Sequence, residues 1–416
     1  METKIYEIRD VIYGFVSLDD QECAIVNSPE FQRLRRIRQL SLTEMVYPGA
    51  NHTRFEHSLG VMQMATDMYE ALVKNSSALI KELGLDDSGI KRWRKVIRLS
   101  ALLHDIGHPP FSHSGEGLFV VNPETGKAFD HEDYSIAIIK TKFKSHIEDH
   151  PINLNFGIKV DEVTALLGDT SNPENALNSF ALLWKSLISG QIDADRADYL
   201  LRDSLHSGVN YGMYDKNRLI RCMVLGKNDT DSIIASFENG GWHIAESLVI
   251  ARYQMFTQLY LHKTRRIYDY HITEATKEVL KTLGYSDARY PSLEQIDDYL
   301  KFDDWTIWGS IKNGMGKTHG DIVLNRKHYR CIYETSLVPT DEENEKLEKL
   351  IMEQETQGKS FYLDEKATTK WYKIDKDIPI CDESTRYTKP LSEMSSIIKS
   401  LTAAPQIKRL YIEVKR

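Results

Sequence analysis

Apolar residues recur at helical spacing through the first two thirds of the chain. Ser28, Pro29 and Glu30 are typical of a helix start, because they supply a capping side chain, a proline at the first position and an acid in the first turn. Further helices are predicted at about 55–74, 90–104, 175–189 and 193–205, and residues 242–283 are predicted to form one or two long helices.

The pattern changes after Gly284. A short helix is predicted at 292–300, residues 321–336 mix β-formers with basic residues, and a charged helix is predicted at 341–357. Aromatic and β-branched residues predict strands at 361–364, 371–374 and 409–414. We therefore predict a mainly α protein, with a helical domain over 1–285 and a small α+β C-terminal region over 286–416, the boundary falling between 285 and 335.

Composition narrows the class of protein. The chain has 416 residues and a formal charge of −8, and its 41% hydrophobic content can bury a sizeable core, which excludes a disordered chain. The mild acidity argues against a protein that coats nucleic acid. No apolar run approaches the ~18 residues of a membrane span, and the amino terminus has no signal-peptide core. Four widely separated cysteines disfavour a disulfide framework or a zinc ribbon, so we expect a cytoplasmic protein without a membrane partner.

Histidines supply the candidate chemistry, since four of the 14 fall between His104 and His131. The adjacent pair His104-Asp105 ends an apolar helix and is carried to the edge of the core. Burying an imidazole with a carboxylate needs a partner, and a divalent cation is the economical one. Together with His57 and Asp195, the pair would suit Mn, Mg, Fe, Co, Ni or Zn with open positions for water and phosphate. The alternative is a histidine-rich loop without chemistry.

The order His57…His104-Asp105…Asp195 resembles the defining H…HD…D pattern of the HD-domain phosphohydrolases. Residues 54–60 (RFEHSLG), 104–116 (HDIGHPPFSHSGE), 131–132 (HE) and 195–203 (DRADYLLRD) resemble its deoxynucleoside triphosphate (dNTP) triphosphohydrolase branch. That branch includes the bacterial dGTP triphosphohydrolases and the sterile-alpha-motif/HD-domain restriction factor. The resemblance covers roughly residues 1–285.

The resemblance implies hydrolysis of a dNTP to deoxynucleoside and triphosphate by water attack at the α-phosphorus. His57, His104, Asp105 and Asp195 would be the metal ligands. His131, supported by Glu116, would protonate the leaving oxygen, and this pairing is physically reasonable because a neighbouring carboxylate raises the pKa of an imidazole. His108 and His113 match residues that contact the phosphates near the scissile bond.

Substrate contacts also follow from the resemblance. Arg54, Arg196 and Arg252 would bind phosphates, while Tyr199 and Tyr260 would lie around the sugar, where Asp203 would accept from the 3′-hydroxyl. Gln39 and Leu40 align with residues that crowd the 2′ position, which would favour deoxyribose. For each residue taken singly, the alternative is a surface salt bridge or core packing.

The residues expected to bind a regulatory nucleotide match the family pattern less closely than the active-site residues do. The family implies a homo-oligomer, a dimer or tetramer, and some relatives are activated by a guanine nucleotide at a subunit interface. Gln32 and Arg35 agree with the regulatory pattern, but Asn27 replaces a guanine-reading aspartate and Tyr6 replaces a phosphate-binding lysine. We therefore expect guanine-nucleotide activation to be absent or altered. The arginines from 33 to 38 are alternatively a subunit contact, the site of another allosteric nucleotide, or a solvated face.

The leading hypothesis is a metal-dependent dNTP triphosphohydrolase. A second is another HD enzyme, a phosphomonoesterase or phosphodiesterase acting on nucleotides. A third is a non-catalytic regulator that binds a nucleotide or a nucleic acid, although the intact ligand set and the His131–Glu116 pair argue against it.

Overall fold

The computed structural model describes residues 4–172, 174, 178–365, 377–401 and 406–414. Its helices are α1 (Asp20–Val26), α2 (Pro29–Gln32), α3 (Arg54–Asn75), α4 (Ser77–Glu82), α5 (Asp87–Leu103), α6 (His131–Ile138), α7 (Lys144–Glu148), α8 (Val160–Ala165), α9 (Ser179–Lys185), α10 (Ala194–Ser207), α11 (Lys216–Arg221), α12 (Trp242–Met255), α13 (Lys263–Thr282), α14 (Ile296–Tyr299), α15 (Asp304–Lys312), α16 (Lys317–Leu324), α17 (Asp341–Thr356), α18 (Leu391–Met394) and α19 (Ser396–Ser400). Its strands are β1 (Tyr6–Asp10), β2 (Gly14–Leu18), β3 (Met223–Lys227), β4 (Ile233–Glu238), β5 (Arg330–Glu334), β6 (Phe361–Asp364), β7 (Pro379–Cys381), β8 (Thr388–Pro390) and β9 (Arg409–Ile412).

The centre of the molecule is helical, as predicted. α3 packs along both α5 and α10, and each contributes a fully buried apolar face. The predicted inward residues Val96, Leu99 and Leu103 of α5 are all inaccessible to solvent. α5 ends at Leu103, and Pro109 and Pro110 after the following turn prevent the helix from resuming, because proline cannot continue a helix. The mainly α fold class is therefore confirmed.

The predicted helix after Ser28 is shorter than its apolar spacing indicates. Ser28 caps α2 and Pro29 is its first residue, but α2 gives way at Arg33 to a 3₁₀ turn. Arg33 is 1% exposed, and it donates to the main-chain oxygens of Phe302, Ile106 and His108. The interpretation of this arginine as part of a solvated face is wrong, because its donors satisfy three buried carbonyl groups.

Within the part of the chain that the structure describes, three sheets accompany the helices. β1 and β2 form an antiparallel hairpin that pairs Tyr6 with Leu18, and α3 packs against β2. The order β3-β4-β7-β8 forms a second sheet, and β5-β9-β6 forms a third. The first two hairpins, β1–β2 and β3–β4, were not anticipated in a segment predicted to be mainly helical. Parallel pairing of Phe237 in β4 with Ile380 in β7 joins strands from both sides of the expected boundary, and the boundary itself stays a prediction.

The C-terminal elements follow the expected order. The helix predicted at 341–357 is α17, and the strands predicted at 361–364 and 409–414 are β6 and β9. The strand predicted at 371–374 lies outside the described residues. The stretch 242–283 divides into α12, a π-helical turn at Phe256–Tyr260 and α13. All four cysteines are free, and within the described ranges no helix combines the length and apolarity that a membrane crossing requires.

Candidate active site

Three helix ends bring the predicted metal ligands together. His57 lies in the first turn of α3, where Glu56 accepts a 2.8 Å hydrogen bond from the main chain of Thr53 and fixes the helix start. His104 directly follows α5. Asp195 lies in the first turn of α10, which Asp193 caps by accepting from the main chain of Arg196.

The four side chains converge on one point. Nε2 of His57 lies 3.1 Å from Oδ1 of Asp195 and 3.4 Å from Oδ2 of Asp105. Nε2 of His104 lies 3.3 Å from Oδ1 of Asp105 and 3.9 Å from Oδ1 of Asp195. His57, His104 and Asp195 form a group whose ligand atoms one ion could bridge, and a carboxylate oxygen of Asp105 lies within 3.4 Å of each imidazole Nε2.

The hydrogen bonds on the far side of each ring fit a metal. Nδ1 of His57 pairs with Asp198 at 2.8 Å, and Nδ1 of His104 pairs with the main-chain oxygen of Ala101 at 2.8 Å. Because both partners only accept, the neutral form of each ring keeps its proton on Nδ1 and has its lone pair on Nε2. Both Nε2 atoms are buried and have no hydrogen-bond partner among the described residues. This donor set fits a divalent cation.

The charges at the cluster also fit a bound cation. Burial works against a charged His57, yet contacts with Asp195, Asp198 and Asp105 raise its pKa to about 10. Burial likewise works against ionised Asp105, but Arg54 and His104 hold the pKa of that carboxyl well below its usual range. Arg54 forms a direct ion pair with Asp105. The pocket thus keeps its carboxylates ionised and favours positive charge beside them.

The predicted acid pair lies beside this cluster. Nδ1 of His131 is 2.6 Å from Oε1 of Glu116, and Nδ1 of His113 is 3.0 Å from the same oxygen. The rings of His131 and His108 stack with centroids 3.9 Å apart, and Nε2 of His108 lies 3.3 Å from Asp105. His108 thus connects the acid pair to the predicted metal ligands.

Gly107 makes this proximity possible. A Cβ at this position would lie 2.4 Å from the main-chain oxygen of His131 and 2.3 Å from the main-chain nitrogen of Ser135, so a side chain would push α6 away. The Ser135 hydroxyl then joins α6 to the loop, because it accepts from Gly107 and donates to the carbonyl of His104. Close packing of the Gly107 loop against α6 therefore explains why a glycine is required at this position.

The electrostatics of the acid pair favour a protonated imidazole. Burial alone would lower the pKa of His131, but the hydrogen bond and charge of Glu116 raise it to about 9. For Glu116, burial is outweighed by His113 and His131, which hold the pKa of the carboxyl well below its usual range. His131 is thus equipped to carry a proton at neutral pH.

The loop after His108 is held in an unusual conformation. Phe111 and Ser112 have φ values of 60° and 53°, in the left-handed region that disfavours side chains. Asp304, from the C-terminal region, accepts from the main chain of Phe111 at 2.7 Å and from that of Arg38 at 2.8 Å. The Arg54 guanidinium holds the Ser112 hydroxyl at 3.0 Å. Sequence reasoning missed Asp304, because nothing in its own segment indicates the distant loop that it binds.

A cavity of about 530 Å³ lies beside the cluster. Arg54, which pairs with Asp105, and His113, which contacts Glu116, line it, whereas the four predicted metal ligands, His108, His131 and Glu116 do not. The size of the cavity is that of a small-molecule site. Seven of the predicted substrate residues line it, namely Gln39, Leu40, Arg54, His113, Tyr199, Asp203 and Tyr260. Residues that sequence reasoning did not select also line it, among them Arg265, Arg266, Asp269, Tyr270, Lys277 and Tyr362.

Asp203 is the centre of a polar cluster in the cavity wall. Tyr260 donates to Oδ2 of Asp203 at 2.6 Å, and Nε2 of His52 contacts Oδ1 at 2.7 Å. His52 stacks on His206 with centroids 4.5 Å apart. Sequence reasoning missed His52, although its position two residues before Arg54 was a usable indication. Both oxygens of Asp203 are fixed, so its carboxylate is oriented before any ligand enters.

Two predicted phosphate ligands lie beside the cavity and not in its lining. Arg196 is paired with Asp193. Burial raises the pKa of Tyr199, a residue of the cavity lining, and the guanidinium groups of Arg252 and Arg196 oppose that rise. Both arginines therefore lie close enough to Tyr199 to act on its charge. Their roles stay predictions.

The predicted regulatory residues interact with each other. Gln32 accepts from Nε of Arg35 at 2.8 Å and donates to the main-chain oxygen of Val26 at 2.7 Å. The Arg35 guanidinium lies 3.5 Å from the ring centroid of Phe55, at the start of α3. Neither side chain lines the cavity, and a regulatory role stays a prediction.

Comparison with known proteins places the site in a family context. A model described as "HD domain" matches residues 54–203, and one described as "HD associated region" matches residues 214–408. The first range contains all four predicted metal ligands. The second contains most of the C-terminal region and begins before the predicted domain boundary.

Relatives differ in how much is known of them. An uncharacterised protein of Methanocaldococcus jannaschii is 38% identical over 291 residues, which are 70% of this chain and 53% of that protein. The deoxynucleoside triphosphate triphosphohydrolase SAMHD1 of Homo sapiens is 28% identical over 320 residues, 71% of this chain and 49% of that protein. The chain thus spans about half the length of these relatives. A solved phosphohydrolase from Bacteroides thetaiotaomicron is similar over 99% of this chain and 100% of its own, with a TM-score of 0.71 and 25% identity.

Proposed function

Because the chain belongs to the HD-domain phosphohydrolase family, we propose that it hydrolyses deoxynucleoside triphosphates to deoxynucleoside and triphosphate, with water attacking the α-phosphorus. The name of the human relative, a dNTP triphosphohydrolase, supports this substrate class. The observation that carries the proposal is that one cavity joins Arg54 and His113, which contact the ligand cluster and the acid pair, to Asp203 and Tyr260.

His57, His104, Asp105 and Asp195 would hold a divalent cation, with Mn, Mg, Fe, Co, Ni and Zn all compatible with the donors. Such an ion supplies Lewis-acid polarisation of a phosphoryl oxygen and lowers the pKa of a water molecule. Arg54 is already paired with Asp105, so its guanidinium mainly keeps that carboxylate ionised and oriented. Arg252 and Arg196, the latter ion-paired with Asp193, would contact the phosphates, and His113 would lie near the scissile bond.

The leaving 5′-oxygen requires a proton, and His131 would supply it. Glu116 binds Nδ1 of His131, which leaves Nε2 as the atom that delivers the proton. After transfer the ring stays neutral with its remaining proton on Nδ1, still hydrogen bonded to Glu116. The stacked ring of His108 limits rotation of His131 and so keeps Nε2 in one direction.

The sugar end would be recognised by the fixed carboxylate of Asp203. Its oxygens retain lone pairs beyond those used by Tyr260 and His52, so it can accept from a 3′-hydroxyl without breaking the cluster. Gln39 and Leu40 lie in the same cavity and would crowd a 2′-hydroxyl. We therefore expect deoxyribose to be preferred over ribose.

The test is product analysis with each dNTP and rNTP across Mg²⁺, Mn²⁺, Fe²⁺ and Co²⁺. The proposal expects inorganic triphosphate and deoxynucleoside in equal amounts, and loss of both in His104→Ala. Release of monophosphate, pyrophosphate or orthophosphate would instead identify another HD phosphomonoesterase or phosphodiesterase. Binding of nucleotide without turnover, equal in the unaltered chain and in His104→Ala, would identify a non-catalytic regulator.

A further inference from the structure

A buried chain of ion pairs connects His57 to the N-terminal hairpin. Oδ2 of Asp198 contacts Nδ1 of His57 at 2.8 Å. Arg202 holds the same carboxylate through two hydrogen bonds of 2.9 Å, from Nε to Oδ2 and from Nη2 to Oδ1. Its remaining nitrogen, Nη1, donates to Oδ2 of Asp10 at 2.9 Å. His57, Asp198 and Arg202 are 0% exposed, and Asp10 is 5% exposed.

The hairpin turn orients the far end of this chain. Oδ1 of Asp10 accepts from the main chain of Ile12 at 2.7 Å and from that of Tyr13 at 3.0 Å. Asp10 is the last residue of β1, so the turn between β1 and β2 fixes its carboxylate. Its other oxygen is thereby presented to Arg202.

Gly60, one turn after His57 on α3, leaves the space that the pair occupies. A Cβ at Gly60 would lie 2.0 Å from Oδ1 of Asp198 and 2.3 Å from Nη2 of Arg202. Both distances are far below van der Waals contact, so any side chain would displace the ion pair. The motifs around residues 54–60 and 195–203 therefore contain a matched set, a glycine on one helix and an Asp–Arg pair on the other.

The two histidines differ in what fixes their tautomer. His104 donates to a carbonyl of its own helix, at Ala101. His57 depends on Asp198, which is held by Arg202, and Arg202 is held in turn by Asp10. An ionised carboxylate can only accept, so it places the proton of His57 on Nδ1 and directs the lone pair of Nε2 to Asp105 and Asp195.

We propose that Asp198, Arg202 and Asp10 are positioning residues that keep His57 ready to bind the metal, which makes the N-terminal hairpin a structural part of the metal centre. The inference rests on the metal site of the proposed function and not on the reaction. Asp198→Asn would lose the hydrogen bond to either His57 or Arg202, because an amide has only one accepting oxygen. If the amide turns its NH₂ to Nδ1 of His57, the proton of that ring must move to Nε2. Asp10→Asn can keep its carbonyl oxygen on the turn, and its NH₂ then faces Arg202, which loses an acceptor.

The test is calorimetric titration of the metal-free full chain with Mn²⁺, together with its melting temperature. We expect Asp198→Asn to weaken Mn²⁺ binding ~10–100-fold and Gly60→Ala about tenfold, as is typical when the partner of a metal-binding histidine is disturbed. Asp10→Asn should give a smaller loss in the same direction. Gly60→Ala removes no polar group and keeps the result interpretable if Asp198→Asn does not fold.

Two matched controls separate positioning from stability. Gly309→Ala changes a helical glycine whose Cβ would meet nothing within 4 Å, and Glu22→Gln breaks a buried ion pair with Arg98. Both should bind Mn²⁺ normally, although Glu22→Gln should melt earlier. Mn²⁺ affinities of Asp198→Asn and Gly60→Ala within twofold of the unaltered chain would overturn the proposal. A chain that shows the expected affinity losses but releases no triphosphate would refute the proposed reaction alone.

Discussion

The proton-donating role of His131 can be tested through Glu116→Gln. Burial opposes protonation of His131, and the hydrogen bond and charge of Glu116 raise its pKa to about 9. The substitution removes the charge but keeps an amide oxygen that can accept from Nδ1, which lies 2.6 Å from the carboxylate in the unaltered chain. From the ordinary value of 6.5, this rise in the pKa corresponds to ~3 kcal/mol in favour of the protonated ring. The variant should therefore keep the geometry and lose most of this preference.

The direction in which activity changes with pH follows from the role of His131 as a proton donor. A general acid must be protonated, so activity falls as pH rises through the pKa of His131. At pH 8 a group of pKa 9 is ~90% protonated and one of pKa 6.5 is ~3% protonated, so the variant should lose up to ~30-fold in kcat/KM. Near pH 6 both rings are mostly protonated, and the loss should shrink to a few-fold.

The assay is kcat/KM for triphosphate release between pH 5.5 and 10 in both proteins. A bound cation lowers the pKa of His131 in both, so the quantity compared is the separation of their alkaline limbs, expected at ~2 pH units. Glu132→Gln is the comparison variant, since this exposed carboxylate directly follows His131 and interacts with it through charge, so its alkaline limb should move much less than that of Glu116→Gln. Coincident alkaline limbs for the unaltered chain and Glu116→Gln would refute the reasoning.

Three further predictions concern other parts of the molecule. Burial opposes ionisation of Glu22, but Lys95 and Arg98 lower its pKa from 4.5 to about 2, so urea unfolding should show Glu22→Gln to be ~3 kcal/mol less stable at pH 7. The same stabilisation of the unaltered chain is present above pH 4.5 and should be lost as pH falls toward 2. Tyr260→Phe removes the hydroxyl that orients Asp203, and steady-state kinetics should show a several-fold higher KM for dNTP. Arg33→Met leaves three buried carbonyls without their donor, and urea unfolding should show a loss of ~3 kcal/mol or more.

Local patterns predicted the long helices and their ends. The buried stripe of α5 and the Gly and Pro residues after it are sufficient to place His104 at a helix end beside Asp105. Capping residues likewise predicted the start of α2, where Ser28 and Pro29 begin the helix as expected. Such predictions succeed because the responsible interactions lie within a few residues of one another.

Short strands and distant partners could not be predicted in this way. β1 alternates in burial, but five residues are too few to distinguish a strand from an irregular segment. Arg33 and Asp304 bind main-chain groups that are distant along the sequence, so neither partner is visible in the local pattern. The helical spacing around Arg33 even suggested an exposed face, and tertiary packing overrode it.

The candidate site combines both situations. The order of His57, His104, Asp105 and Asp195 and the family resemblance were enough to select residues that the structure brings together. Asp198 and Arg202, which orient His57, and His52, which orients Asp203, lie within or beside the same motifs, but their roles follow only from contacts in space. Oligomeric state, compartment and nucleotide regulation stay predictions.

The central claim is that water attacks the α-phosphorus and that the 5′-oxygen leaves with the deoxynucleoside. Turnover of a dNTP in ¹⁸O-labelled water, with mass spectrometry of both products, tests it most directly. We predict one ¹⁸O in the inorganic triphosphate and none in the deoxynucleoside. Label in the deoxynucleoside, or release of pyrophosphate or orthophosphate in place of triphosphate, would contradict the account.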